Sequence, residues 1–460
     1  MTALAHPSGA AVLALCLGAL LVPQVVLTLW FARIVRLRTG EFVGRGTARH
    51  ESAAIPAEVV LCLRGCDATL PDVFAALARQ SHRAWRLRVV VDSTDDPAWP
   101  VAEAAVTRLA GEGASWNGHA VEPLAARPSR GSLKCASLRQ ALRSLAPETR
   151  VVALVDADCV VHVDWLHTMV DECLRPGVGA VSGNRWYEPV RGSSPGVVRA
   201  LWNAGAIVQM TTFGIPWGGS LAVRREAADA CGWVEEIEST LCEDTALAAP
   251  LARSGWAYRF VPALTAVDTD DDIGWGALTR WIARQLLTAR LHHPAWPLVA
   301  AHGLGTSLVL VAGAAAALGA WAVGDHASCA VVAGAVLIYE VVSVLMVAII
   351  AGAIRAAAAA AGRGIPPFSA GRFIRWGALI PATQAVYAWA MAHAVTARSI
   401  EWRGIVYDVE HVDGRTAVVI AGGTPPRGAA VSRPRRWPAR WFAGRPDAVA
   451  AGVAGRDPQP

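Results

Sequence analysis

The sequence predicts an α/β protein held at a membrane: a doubly wound parallel sheet with one apolar helix ahead of it and about three behind. Three observations predict this. An apolar fraction of 54% and a mean hydropathy of +0.36 over 460 residues exceed what a soluble chain needs and point to membrane spans. From residue 57 onward, short aliphatic runs alternate with helical patterns, the order that builds a parallel sheet with helices on its faces. The run Val151–Val155 ends abruptly in Asp156 and Asp158, so it reads as a buried strand that delivers two carboxylates to the end of a sheet, where such folds bind ligands. Taken alone, an Asp-x-Asp is also a common surface turn.

Residues 9–32 form an apolar run long enough to cross a bilayer, followed at once by Arg33, Arg36 and Arg38. No basic residue precedes the run and no small-residue cleavage site follows it. It therefore reads as an uncleaved anchor with the next segment on the cytoplasmic side. A polar linker is expected over 39–56 and an α/β domain over 55–274. Its strands begin with 59–63, then 87–91, which ends at Asp92 with Asp95 and Asp96 just beyond; a helix over 71–81 separates them. Two acidic strand ends in one sheet are harder to explain as turns than one.

Trp217, Gly218 and Gly219 offer a flat ring and a backbone that a ligand can approach closely, or else a glycine hinge before a strand. Glu243 and Asp244 open a helix, where they could serve its dipole. Residues 255–262 read as a further strand. Residues 275–295, with Arg280 and Trp281, form a basic amphipathic helix suited to the membrane interface, a setting in which neither residue needs a catalytic role.

The membrane region is expected over 297–397, with spans at 297–323 and 329–354 and a weaker one at 376–397 interrupted by Pro381 and Gln384. Glu340 lies near the middle of the second, a functional position or one tolerated by helix packing. A post-membrane segment covers 398–423, and the Pro- and Arg-rich tail 424–460 is expected to be disordered. Four full spans with an outside amino terminus would leave that basic tail outside. This conflicts with the positive-inside bias unless the last span is re-entrant or interfacial, or the rule fails here.

Composition narrows the partners. A net charge of +5 suits anionic lipid or nucleotide phosphates, and no basic helix, stacking platform or zinc-finger spacing suggests a nucleic-acid binder. Nine cysteines without a CxxC pair read as reduced thiols facing the cytosol. Lys134 is the only lysine among 42 basic residues, retained either because a guanidinium would not fit or by chance.

Several pieces follow one another in a telling order: Arg64-Gly65-Cys66-Asp67, Asp92 to Pro97, Lys134, Asp156-Ala157-Asp158, Gly218-Gly219-Ser220, Glu243-Asp244, Arg280-Trp281 and Trp402 to Tyr407. This series resembles the membrane-bound family 2 glycosyltransferases of the GT-A (Rossmann-like) fold, most closely the branch related to ceramide and hopanoid glucosyltransferases. The resemblance extends to about Tyr407. It implies that Asp92 and Asp95 contact the nucleotide, that Lys134 sits near the diphosphate or sugar, and that Asp156 and Asp158 bind a divalent metal, Mg²⁺ or Mn²⁺. Trp217, Gly218, Gly219 and Glu243 would complete the substrate contacts, and Asp244 would be the general base. Arg280 and Trp281 match the end of a (Gln/Arg)-x-x-Arg-Trp motif said to close over diphosphate and acceptor. Ala277 at its first position departs from the pattern and counts against a processive polymer synthase.

The resemblance thus implies a multi-pass cell-membrane enzyme with a cytoplasmic catalytic domain. It would transfer a sugar, glucose from UDP-glucose, to a lipid hydroxyl with inversion. A processive polysaccharide synthase and a non-catalytic nucleotide-sugar or lipid binder are the competing readings. A transporter would need more spans or internal repeats.

Overall fold

The computed structural model describes residues 8–44, 54–270, 272–412 and 415–421. The expected tail and residues 45–53 of the expected linker lie outside them. The central sheet is built from β1 (Ala57–Leu63), β2 (Trp85–Val91), β3 (His119–Pro123), β4 (Val151–Val155), β5 (Val178–Ser182), β7 (Ser220–Arg224) and β8 (Ala257–Phe260), with β6 (Arg185–Tyr187) outside it. Its order is β3-β2-β1-β4-β7-β5-β8. The strands β3, β2, β1 and β4 run parallel, whereas β7 is antiparallel to both β4 and β5. The expected all-parallel sheet is therefore corrected to a mixed one.

That reversal has a functional consequence. The antiparallel register sets Val155 opposite Ser220, so the end of β4 and the start of β7 lie side by side. β4 is buried along its whole length, as a central strand covered on both faces must be. Beside the main sheet, β6 pairs in parallel with β9 (Ala266–Asp268) in a small two-stranded sheet.

The anchor helix is longer than the apolar run that predicted it. It spans Gly9–Gly44, absorbing the start of the expected polar linker. Its carboxy-terminal part packs on the α/β domain: Phe31, Ala32 and Val35 share one core with Trp186, Phe260, Ile350, Ile354 and Trp376. Arg38 donates to the Phe260 carbonyl at 2.6 Å. Glu41 pairs with Arg175 at 3.1 Å and with Arg259.

Among the described residues, three helices are long and apolar enough to cross a membrane: Gly9–Gly44, Trp296–Ala322 and His326–Ala360. The weaker expected span does not form one helix. It is divided into Ala370–Ala378 and Ile380–Thr396, the second of 17 residues, with the break just ahead of Pro381. Proline lacks the N–H that a continuous helix would use and crowds the preceding turn. The chain then forms a three-stranded antiparallel sheet of β10 (Ser399–Trp402), β11 (Ile405–Val412) and β12 (Arg415–Ile420). Tyr407 and Val418 from this sheet are buried against Leu241 of the α/β domain.

The helical loop between residues 355 and 375 docks its arginines on the same domain. Glu188 is fully buried and pairs with Arg355 at 3.6 Å and with Arg372, while Trp186 Nε1 donates to it at 3.0 Å. Arg363 Nη2 donates to the Ala263 carbonyl at 2.9 Å.

Candidate active site

Four pieces of chain converge at the end of β4. The strand supplies Asp156 and Asp158. The turn into β7 supplies Trp217, Gly218 and Gly219. Helix Glu243–Arg253 supplies Glu243 and Asp244 at its first turn, and helix Leu133–Arg143 supplies Lys134 just after its Ser132 cap, whose Oγ accepts from Cys135 N at 3.1 Å.

The glycines are explained by crowding. A Cβ on Gly218 would lie 2.3 Å from Glu243 Oε1, and one on Gly219 would lie 2.2 Å from the Trp217 ring and 2.7 Å from Asp156 Oδ2. Backbone Gly218 N instead donates to Asp244 Oδ2 at 2.7 Å. The other oxygen, Asp244 Oδ1, accepts from Thr245 N and from Thr245 Oγ1 at 3.1 Å, so the carboxylate is fixed in one orientation.

Lys134 occupies the centre. Its Nζ is 2.8 Å from Asp156 Oδ1 and 2.8 Å from Glu243 Oε1. Burial alone would lower the ammonium, but Asp156, Glu243 and Asp244 outweigh it and hold it well above its ordinary value. Burial pushes the Glu243 carboxyl up, against the pull of Lys134. Asp158 behaves differently: burial would raise it, yet a two-pronged hydrogen bond from Arg185 holds it at about 2. At the far side of the site, burial raises the Asp92 carboxyl despite its ion pair with Arg64.

Asp92, Lys134, Asp156, Asp158, Trp217, Glu243, Asp244 and Trp281 all line one cavity of about 310 Å³. Gly218 and Gly219 form its adjoining turn. Two further expected residues are neither in the lining nor in that turn. Asp95 is exposed, and its neighbour Asp96 holds the loop by accepting from Gly65 N at 3.0 Å and Ala98 N at 2.9 Å. Arg280 is exposed on the helix Trp275–His292, whereas Arg284, one turn on, lines the cavity with its guanidinium 5.1 Å from the Trp402 ring. Trp281 is held edge-on between Tyr187 at 5.6 Å and Trp202 at 5.3 Å between ring centroids.

Arg64, Arg185, Arg284 and Arg403, none of them singled out by local sequence pattern, also line the cavity. Arg64 and Arg403 lie in quoted motifs, and Arg284 falls at helical spacing from Arg280. Arg185 carries no local signal, because its partner Asp158 is 27 residues earlier in the chain. Arg403 adopts a positive φ of 53° at the tip of the β10–β11 turn, and its guanidinium forks onto Asp67 at 3.0 and 2.6 Å.

Carboxylate oxygens are the donors that Mg²⁺ and Mn²⁺ prefer, so Asp156 and Asp158 fit such an ion. Among the described residues, no three His, Cys, Asp or Glu side chains gather to hold one. Water or the oxygens of a bound ligand would supply the remaining positions.

A mixed α/β sheet with an acidic cluster at its strand ends is thus joined to three helices apolar enough to cross a membrane. The model of glycosyl transferase family 21 matches residues 15–415, and the chain belongs to that family. No curated protein matches it. Among solved structures it is similar to a mannosyltransferase from Pyrobaculum calidifontis in complex with GDP-mannose and Mn²⁺, at 18% identity and a TM-score of 0.42, covering 84% of this chain and 99% of that one. It is also similar to glucosyl-3-phosphoglycerate synthase from Mycobacterium tuberculosis in complex with Mn²⁺, UDP and glucosyl-3-phosphoglycerate. That match has 18% identity and a TM-score of 0.33, covering 53% of this chain and 82% of that one.

Proposed function

We propose that the protein transfers glucose from UDP-glucose, with inversion, to a hydroxyl of a ceramide- or hopanoid-like lipid at the cytoplasmic face of the membrane. The observation that carries this reading is the mixed lining of the cavity. It combines the charged group of Asp92, Lys134, Asp156, Asp158, Glu243 and Asp244 with the apolar side chains of Ala206, Ile207, Met210, Ile215, Leu286 and Val299. Val299 belongs to the helix Trp296–Ala322, which is apolar enough to cross a membrane. An acceptor whose body rests on apolar side chains can thereby bring a hydroxyl to a carboxylate.

In this reading Asp92 binds the nucleoside and Lys134 faces the diphosphate as a point charge. Asp156 and Asp158 would hold a divalent cation, which supplies charge neutralisation at the leaving phosphate oxygens. Asp244, fixed by Gly218 N and Thr245, takes the proton of the acceptor hydroxyl as that oxygen attacks the anomeric carbon. A single in-line displacement inverts the centre without a covalent intermediate.

The same reading fixes a topology. β10–β12 packs on the α/β domain, with Leu133 N donating to Tyr407 Oη at 3.3 Å and Gly131 N to the Val418 carbonyl at 2.7 Å. Both must then lie on one side of the membrane, so the chain between them crosses an even number of times. Trp296–Ala322 and His326–Ala360 make the two crossings, and Ile380–Thr396 lies on the interfacial helix instead. The conflict over the basic tail disappears, because the chain leaves β12 on the cytoplasmic side.

Incubating the detergent-solubilised protein with labelled UDP-glucose and a lipid extract tests the function. One mono-glycosylated lipid is expected, with the signal falling roughly 10²–10⁴-fold in Asp244→Asn while UDP binding persists. A ladder of long products would replace this reading with a polymer synthase.

A further inference from the structure

Apart from the Arg64–Asp92 pair, the charges at the end of β4 form two couples. Lys134 serves Asp156 and Glu243, as described. Arg185 serves Asp158 with a fork: Nη1 donates to Oδ2 at 2.8 Å and Nη2 to Oδ1 at 2.5 Å. Such a fork engages both oxygens at once and gives directional, charge-assisted bonding. It leaves the second carboxylate of the Asp-x-Asp pair neutralised and half of its lone-pair sites occupied.

Arg185 is itself held from several directions. Its Nη1 lies 3.3 Å from Asp268 Oδ2, and its guanidinium sits 5.2 Å from the centre of the Trp217 ring. Its backbone is fixed by the β6–β9 pairing, where Arg185 aligns with Ala266, and by Asn203 Nδ2, which donates to its carbonyl at 2.7 Å. The guanidinium is thus anchored at the cavity wall within reach of whatever Asp158 binds.

We propose that Arg185 is a displaceable counter-ion: it neutralises Asp158 before the donor arrives, so that a divalent cation is retained only together with a nucleoside diphosphate, whose oxygens then receive the guanidinium. Three observations support this. Asp158 offers both oxygens to Arg185, Asp156 already pairs with Lys134, and no set of three acidic, His or Cys side chains gathers among the described residues to hold the cation more firmly. The diphosphate provides what is missing on both counts, oxygens for the cation and an anion for Arg185. Nucleotide and cation therefore favour each other's binding, and by linkage the effect is reciprocal. Arg185 acts as a positioning residue through Asp158, and the inference rests on reading this cavity as the diphosphate seat.

The test is retention of Mn²⁺ by the detergent-solubilised full chain, measured by ultrafiltration with and without UDP against a UDP-only blank. Wild type should retain little Mn²⁺ alone and much more with UDP. Arg185→Gln should bind Mn²⁺ without UDP, so that the enhancement by UDP shrinks roughly fivefold or more, within the range of ordinary site coupling. Arg185→Lys, which keeps a charge but not the fork, should fall between them and carries the test if the glutamine variant does not fold. An unchanged enhancement in a folded variant overturns the inference and leaves the diphosphate seat intact. If UDP raises Mn²⁺ retention in neither wild type nor variant, the diphosphate seat itself is wrong and the inference falls with it.

Discussion

At the scale of single residues, the site is defined as much by what is missing as by its charges. Gly219 has no room for even one methyl group, since a Cβ would overlap the Trp217 ring and approach Asp156 Oδ2 at 2.7 Å. Neither neighbour can yield freely: Trp217 N donates to Ser182 Oγ at 3.1 Å, and Asp156 is tied to Lys134. Overpacking of this kind costs about 1–3 kcal/mol. Gly219→Ala should therefore lower thermal stability modestly and raise the KM for the nucleotide sugar at least tenfold, because the displaced atoms belong to the site. Kinetics paired with a melting curve measure both, and an unchanged KM would place the turn outside the donor site.

At the scale of elements, arginines weld the helices to the α/β domain. Glu188 is the most demanding of these junctions, a carboxylate without solvent access answered by Arg355 near the end of the helix His326–Ala360 and by Arg372 of the helix Ala370–Ala378. It directly follows β6, the strand that carries Arg185 and Tyr187 into the cavity. Removing one partner of a buried pair leaves the others uncompensated, at about 3–5 kcal/mol. Glu188→Ala should lose stability on that scale, read as a lower midpoint in thermal or denaturant unfolding in detergent, with transfer activity falling alongside. A neutral effect would mean that Arg355 and Arg372 find other partners at no cost.

For the whole molecule, the decisive relation is that the post-membrane sheet touches the α/β domain. On the topology we propose, the chain enters the membrane from outside and leaves β12 on the cytoplasmic side. A reporter fused after residue 460 should be inaccessible to reagents added outside intact cells, while one fused ahead of Met1 should be accessible. Two accessible ends would require an additional crossing and would separate β10–β12 from the site.

The sequence alone determined whatever depends on local pattern. The aliphatic run of β4 with its two terminal carboxylates, the acidic end of β2, the lone Lys134 and the glycine pair before β7 were all legible, and most of those residues share one cavity. The same holds for the apolar helices, because burial in lipid and burial in a sheet impose different lengths and periods on side chains. Tertiary structure decided the pairing of distant groups. The reversed direction of β7, the choice of Arg284 over Arg280 at the cavity, and the break ahead of Pro381 follow from how elements pack. Arg185 shows the reason most clearly. A charged side chain acquires its role from the partner it meets, and chain folding brings Asp158, Asp268 and Trp217 to it from three separate segments.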